Sequence, residues 1–403
     1  MKIFIHTMYF LPEFGSAPIL MNELAGSLAA HGHEVEVVAT LPRPPHNRGY
    51  AGRFLVRETR DGFRVNRILT NFTRHHFGRL LAWSIYTLYA MAHLATVKSG
   101  DVVFLRLPPL QLGVAGILAR YLRGARVLLN VQDIHPDLSI ESGLLRNPLA
   151  IRAALGFESW IYKHHRTIVV ISEGFKKNLL AKGVPAARLT VLPNWVDTDV
   201  LRPLPKANPI ARKLGLADKF TVMYSGTISI SSYETLVRML DAAARLRDDP
   251  AVRIVIVGEG FKADDLKAEA ARRALPNVVF LPFQPYRDLP ELLAAADALL
   301  VPLDKEKSLL SVPSKLYNFM AAGRPVFGLA HRDSEVFQII ESVGCGWCAP
   351  PDDPEEIAAA IRRMKDDAPG RAAMGDRGRA YALAHVSRQA VVAAFEALMS
   401  EMP

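Results

Sequence analysis

Short apolar runs alternate with helix-period stretches along the whole chain. Lys2–His6 (KIFIH), Glu34–Ala39 (EVEVVA), Val102–Arg106, Arg126–Val131, Thr167–Ile171 and Leu189–Leu192 are β-branched runs of strand length. Between the first two, Ile19–His31 sets Leu20, Leu24 and Leu28 on one helical face. The second half repeats the scheme. Phe220–Tyr224, Arg253–Val257, Val278–Leu281, Ala298–Pro302 and Pro325–Leu329 read as strands, with helices such as Tyr233–Leu246 and Leu266–Ala274 between them. Strands this apolar must be covered on both faces, which predicts an α/β chain with parallel sheets. Asp197–Asp218 carries three prolines and no apolar period, so a linker is expected there. The expectation is two Rossmann-like, doubly wound domains, 1–197 and 198–385, facing a central ligand cleft.

Length agrees: 403 residues suit two or three domains. A 50% hydrophobic, 22% charged composition excludes wholesale disorder. Two cysteines exclude a disulfide scaffold and point to a reducing compartment, and a strand beginning at Lys2 with no leader pattern before it reads against secretion. The net charge of +9 is uneven. Through Leu204 there are 24 Lys and Arg against 14 Asp and Glu; beyond it there are 25 against 26. A basic first half points to nucleic acid, an anionic membrane or a phosphorylated substrate. No aromatic-interleaved basic module supports nucleic acid.

Leu80–Val97 holds 18 residues without a formal charge. It is read first as an interfacial helix on anionic lipid, with Trp83, Tyr86 and Tyr89 at the headgroups, and alternatively as a buried helix or a span.

Several motifs lie at strand ends. Gly15-Ser16 follows the first strand and precedes a helix, a turn where backbone amides meet an anion. Gly258-Glu259-Gly260 opens a G-x-G-x-x-A match, but the acidic residue a dinucleotide site needs is missing further on. Cys345 and Cys348 read as strand residues rather than a redox or zinc pair, and Asp197-Thr198-Asp199 as a linker turn rather than a metal site. Asp133, His135 and Asp137 follow the strand Val127–Val131, where such sheets keep their chemistry. The run Ser308–Pro325 places Ser314 as a helix cap with Lys315 beside it, a candidate diphosphate seat.

Pro313-Ser314-Lys315-Leu316-Tyr317 followed by Met320-Ala321-Ala322-Gly323-Arg324-Pro325-Val326 resembles the signature helix of the retaining glycosyltransferase family 4, in the branch of colanic-acid and O-antigen type transferases. Tyr9–Glu13, Pro193–Asp197, Tyr224–Thr227, Val257–Gly260 and Ala294–Asp297 agree in order, so the resemblance covers nearly the whole chain. It implies the GT-B architecture, with the acceptor on the first domain, the nucleotide sugar on the second, and a last helix (386–403) returning to the first domain. It implies that Gly15, Ser16, Gly226 and Thr227 face the donor diphosphate, and that Glu259, Phe283 and Gln284 hold the base. Ser311, Pro313, Ser314, Lys315 and Leu316 would present amides and a cation, and Asp133 and His135 would stand near the reacting sugar. Asn318 and Leu310 occupy the places of the family's paired glutamates, and the stretch after Gly226 lacks its usual basic residue, so Lys315, amides or Arg106 must neutralise the diphosphate.

The implied activity is retaining transfer from a nucleotide sugar, first of all a UDP-sugar, to a lipid-linked (polyprenyl diphosphate) or saccharide acceptor, without metal or other cofactor. The implied place is the cytoplasmic face of the inner membrane. A nucleotide-sugar 2-epimerase of the same architecture is the alternative.

Overall fold

The computed structural model describes residues 1–402 except 14, 45, 48, 71–75, 142 and 304–312. It forms two compact units, Met1–Asn194 with Val391–Pro403, and Trp195–Ala390.

The first unit holds β1 (Lys2–His6), β2 (Glu34–Thr40), β3 (Leu55–Arg60), β4 (Phe63–Ile68), β5 (Val102–Leu107), β6 (Arg126–Val131), β7 (Thr167–Val170) and β8 (Leu189–Val191). Their order is β3-β4-β2-β1-β5-β6-β7-β8, and only β3 runs antiparallel to its neighbour. One face, including Phe4, Val38, Leu105 and Leu129, packs under helices and forms a single core. On the other face Phe395, from the helix Arg388–Glu401, meets Phe104 at 5.5 Å. Strand order reverses between β1 and β5, which puts the loop after β1 and the end of β5 at the switch point.

The second unit holds β9 (Phe220–Ser225), β10 (Val252–Val257), β11 (Val278–Leu281), β12 (Ala298–Pro302), β13 (Val326–Leu329) and β14 (Gly346–Ala349). All six are parallel, in the order β11-β10-β9-β12-β13-β14. Its two faces carry separate cores, one around Leu299 and Phe319, the other around Leu240 and Ile256. The switch lies between β9 and β12, and Gly226 and Lys315 meet there.

Three sequence expectations change. The β3–β4 hairpin was not expected. The stretch Asp197–Asp218 is no loose linker: Leu201 and Leu216 are buried in the second unit, and Pro209–Lys213 is helical with Asn208 as its cap. Leu80–Val97 belongs to the helix His76–His93 and the turn Leu94–Thr96. Tyr86 is fully buried and donates to the Val38 carbonyl at 2.8 Å, while Trp83 and Tyr89 pack against the core. Tyr86 therefore faces protein and Trp83 and Tyr89 are partly covered, while Leu80, Leu81 and Leu88 of the same segment are exposed. Among the described residues no helix is long and apolar enough to cross a membrane.

Candidate functional site

In the second unit a cavity of about 390 Å³ opens at the switch point. Gly226 and Thr227 line it from the end of β9, Phe283 and Gln284 from the loop after β11, and Ser314, Lys315 and Asn318 from the helix Lys315–Ala321. Seven predicted residues thus share one cavity. Lys315 is its charged centre. Its ammonium donates to Tyr224 Oη at 3.1 Å and sits 4.2 Å from the centre of that ring. The Tyr224 hydroxyl donates in turn to the Thr227 carbonyl at 2.6 Å. Among the described residues no carboxylate pairs with Lys315. Burial without a counter-charge pushes its pKa down to about 8.

The glycine motif has a packing cause. A Cβ on Gly258 would lie 1.9 Å from the Gly226 carbonyl oxygen, and one on Gly260 would lie 2.4 Å from that of Ile228. Gly226 donates to Val257 at 3.0 Å, and Ile228 to Glu259 at 2.9 Å. The two glycines let the loops press together and fix the wall carrying Gly226 and Thr227.

Other predicted residues stand elsewhere. Leu316 is fully buried, and its amide already donates to Pro313 at 2.9 Å, so neither its side chain nor its amide is available to a ligand. Glu259 is exposed and does not line the cavity, because its backbone is what the loop uses. Pro313 precedes the helix outside the cavity lining, and Ser314 makes no side-chain cap bond. Ser311 and Leu310 lie outside the described residues. Cys345 is buried in apolar surroundings that push its thiol up to about 12, and burial raises that of Cys348 too. Asp197 accepts the amides of Asp199 and Val200 at 3.0 Å, the work of a turn.

In the first unit Gly15 and Ser16 are exposed at the start of the helix Ser16–Ala30, which has no side-chain cap. The preceding loop is pinned by Arg43, which bonds Glu13 at 2.9 Å and covers the Tyr9 ring at 4.6 Å, and by buried Arg67, which donates to Leu11 at 2.6 Å. Asp133 lies at the surface after β6, and loss of water around it raises its carboxyl pKa against the opposing pull of His135 and Arg106. His135 Nδ1 is 3.2 Å from Ser139 Oγ, and its ring meets Trp83 edge-on at 5.8 Å. Asp137 is bound at 2.7 Å by Lys182, so it supports the loop.

Arg106, offered by the sequence as a cation for the diphosphate, stands in the first unit. It is the penultimate residue of β5, in register with Asn130, is only 8% exposed, and its Nε has no hydrogen-bond partner. Burial lowers its pKa to about 10. The Asn130 side-chain nitrogen is likewise buried and unpartnered.

Comparison with known proteins agrees with the two-unit α/β fold. Residues 18–195 match the family model of the glycosyl transferase 4-like domain, and residues 208–381 that of glycosyl transferases group 1. WcaI of Escherichia coli K12, named as a colanic acid biosynthesis glycosyl transferase, is 29% identical over 380 residues, covering 90% of this chain and 92% of its own. Sucrose-phosphate synthase of Thermosynechococcus elongatus superposes with a TM-score of 0.75 at 18% identity, over 99% of this chain and 98% of its own. HepE of Anabaena in complex with UDP gives 0.71 at 17% identity over the whole of both chains.

Proposed function

The chain belongs to the glycosyltransferases, a 4-like domain followed by a group 1 domain, and from that premise we propose that it moves a sugar from a nucleotide-sugar donor, first of all a UDP-sugar, to a lipid-linked or saccharide acceptor in the assembly of a cell-surface polysaccharide. The observation that carries this reading is the half-buried Lys315 ammonium, hydrogen-bonded to a hydroxyl and paired with no described carboxylate. Such a cation is under-compensated, and a diphosphate supplies the missing charge. The attraction grows as the glycosidic bond breaks and charge gathers on the leaving oxygen, so it acts on the transition state more than on the bound donor. The donor class draws support from HepE, solved with UDP, and the polysaccharide role from the name of WcaI.

Phe283, 49% exposed, offers a ring to the nucleotide base. Asn318 offers hydroxyl-binding groups where the family has a carboxylate. The reading gives leaving-group charge to Lys315 and backbone amides rather than to a metal. Retention follows if the departing phosphate takes the acceptor proton on the face it leaves. Asp133 and His135 then orient the acceptor or shield the cationic sugar, and Arg106 holds an anionic group nearby. An acceptor carried on a polyprenyl diphosphate places the enzyme on the inner face of the cell membrane, which suits the basic first half.

Turnover of Lys315→Ala with a UDP-sugar and acceptor tests the reading. A loss of about 10–1000-fold is expected, the range for one transition-state donor; wild-type turnover removes Lys315 from the mechanism.

A further inference from the structure

We infer that the exposed face of the helix Pro148–His164 is a docking surface for an anionic phospholipid bilayer. The inference rests on the proposed lipid-linked acceptor and says which surface meets the lipid.

This 17-residue helix buries only Glu158, Ile161 and Tyr162. Leu149 is 78% exposed and Trp160 40%. The Phe157 and Trp160 rings lie 6.0 Å apart with planes 19° from parallel, two aromatic faces side by side at the surface. At helical period Leu149, Ala153, Gly156, Phe157 and Trp160 form one stripe. Folding leaves that apolar area in water, which is what contact with a hydrocarbon boundary recovers. Leu144 and Leu138, on the segment between His135 and this helix, are exposed as well.

Charge selects the partner. Arg146, Arg152, Lys163 and Arg166 are all exposed around the stripe. Between 144 and 166 the sole carboxylate is Glu158, which is buried and held by Lys182 at 2.8 Å. The helix therefore shows water cations, aliphatic groups and aromatic rings but no anion, the make-up of an interfacial helix. A second copy of the chain would bring the same cations against these; anionic headgroups complement them.

Lys182 also ties this surface to the candidate chemistry. The ammonium that holds Glu158 from beneath the helix donates to Asp137 at 2.7 Å, on the segment whose Ser139 meets His135. A bilayer seated on the helix would deliver a lipid-borne head group beside Asp133.

The test is flotation of the full chain with phosphatidylcholine vesicles, with and without phosphatidylglycerol. It compares wild type with Phe157→Ser/Trp160→Ser and Arg152→Glu/Lys163→Glu. Wild type is expected to float with anionic vesicles only and to be released by high salt. Each double variant is expected to lose about tenfold or more in vesicle affinity, while thermal stabilisation by UDP stays as in wild type. Variants that float like wild type, or a wild type that binds UDP and does not float, overturn the inference. So does a concentration-dependent dimer abolished by the same variants, which would make the occupant a second copy. Failure of wild type to bind UDP is a separate outcome and strikes the proposed function.

Discussion

Lys315 Nζ lies 3.1 Å from Tyr224 Oη, and that hydroxyl spends its own proton on the Thr227 carbonyl 2.6 Å away. The oxygen therefore turns a lone pair toward the ammonium and fixes it at the wall formed by Gly226. Tyr224→Phe keeps the ring beneath Lys315 and removes the acceptor. The expected result is a donor KM raised about tenfold, the size of one hydrogen bond to a charged group, read by steady-state kinetics with the acceptor saturating.

Proton linkage gives a second prediction. Lys315 is charged at neutral pH and loses its proton as pH rises through about 8. The log of kcat/KM should fall on the alkaline side with a midpoint near that value. In kcat the midpoint should lie higher, because a bound diphosphate favours the ammonium. Lys315→Arg should abolish the limb, since a guanidinium stays protonated.

The same residue sets activity against stability. Its pKa is lower folded than unfolded, so the charged form opposes folding below about 8, and stability rises with pH between there and the ordinary lysine value. Lys315→Met should raise the melting temperature, by about 2–4 °C for each kcal/mol gained, while transferase activity is lost. Calorimetry and an activity assay on one preparation check both.

Two glycines should divide ligand binding from backbone packing in degree, since both hold positive φ. A Cβ on Gly226 would fall 2.7 Å from Lys315 Nζ, the free end of a flexible side chain. Gly226 holds a φ of 157° that side-chain-bearing residues rarely adopt, so Gly226→Ala should lose some stability and also bind UDP more weakly by titration calorimetry. Gly258→Ala puts its Cβ against the Gly226 carbonyl, where backbone must move. It should cost about 1–3 kcal/mol in denaturant unfolding.

Arg106 lowers the Asp133 pKa that desolvation raises. Arg106→Gln should move the acid limb of the rate profile to higher pH, because Asp133 then holds its proton longer. An unmoved limb would detach Asp133 from the reaction.

Much of this was readable from sequence, and the exceptions have physical causes. Strands such as Phe220–Ser225 are buried on both faces, and such runs announce themselves. The hairpin strand Leu55–Arg60 keeps one polar, partly exposed side, so its apolar signal is weak. The readable sign was Asp61-Gly62, both at positive φ, as a tight hairpin turn requires. Three prolines erased the period of 197–218 without preventing burial of Leu201 and Leu216. The cavity residues followed from motif order. What no motif shows is which members serve the backbone, as Glu259 and Leu316 do, or that Lys315 lacks a counter-charge among the described residues.

The most direct measurement is electron density from crystals of the chain grown with UDP. The account predicts a diphosphate oxygen within hydrogen-bonding distance of Lys315 Nζ, in the cavity lined by Gly226, Thr227 and Asn318. That cavity empty, with the nucleotide bound at another surface, would contradict it.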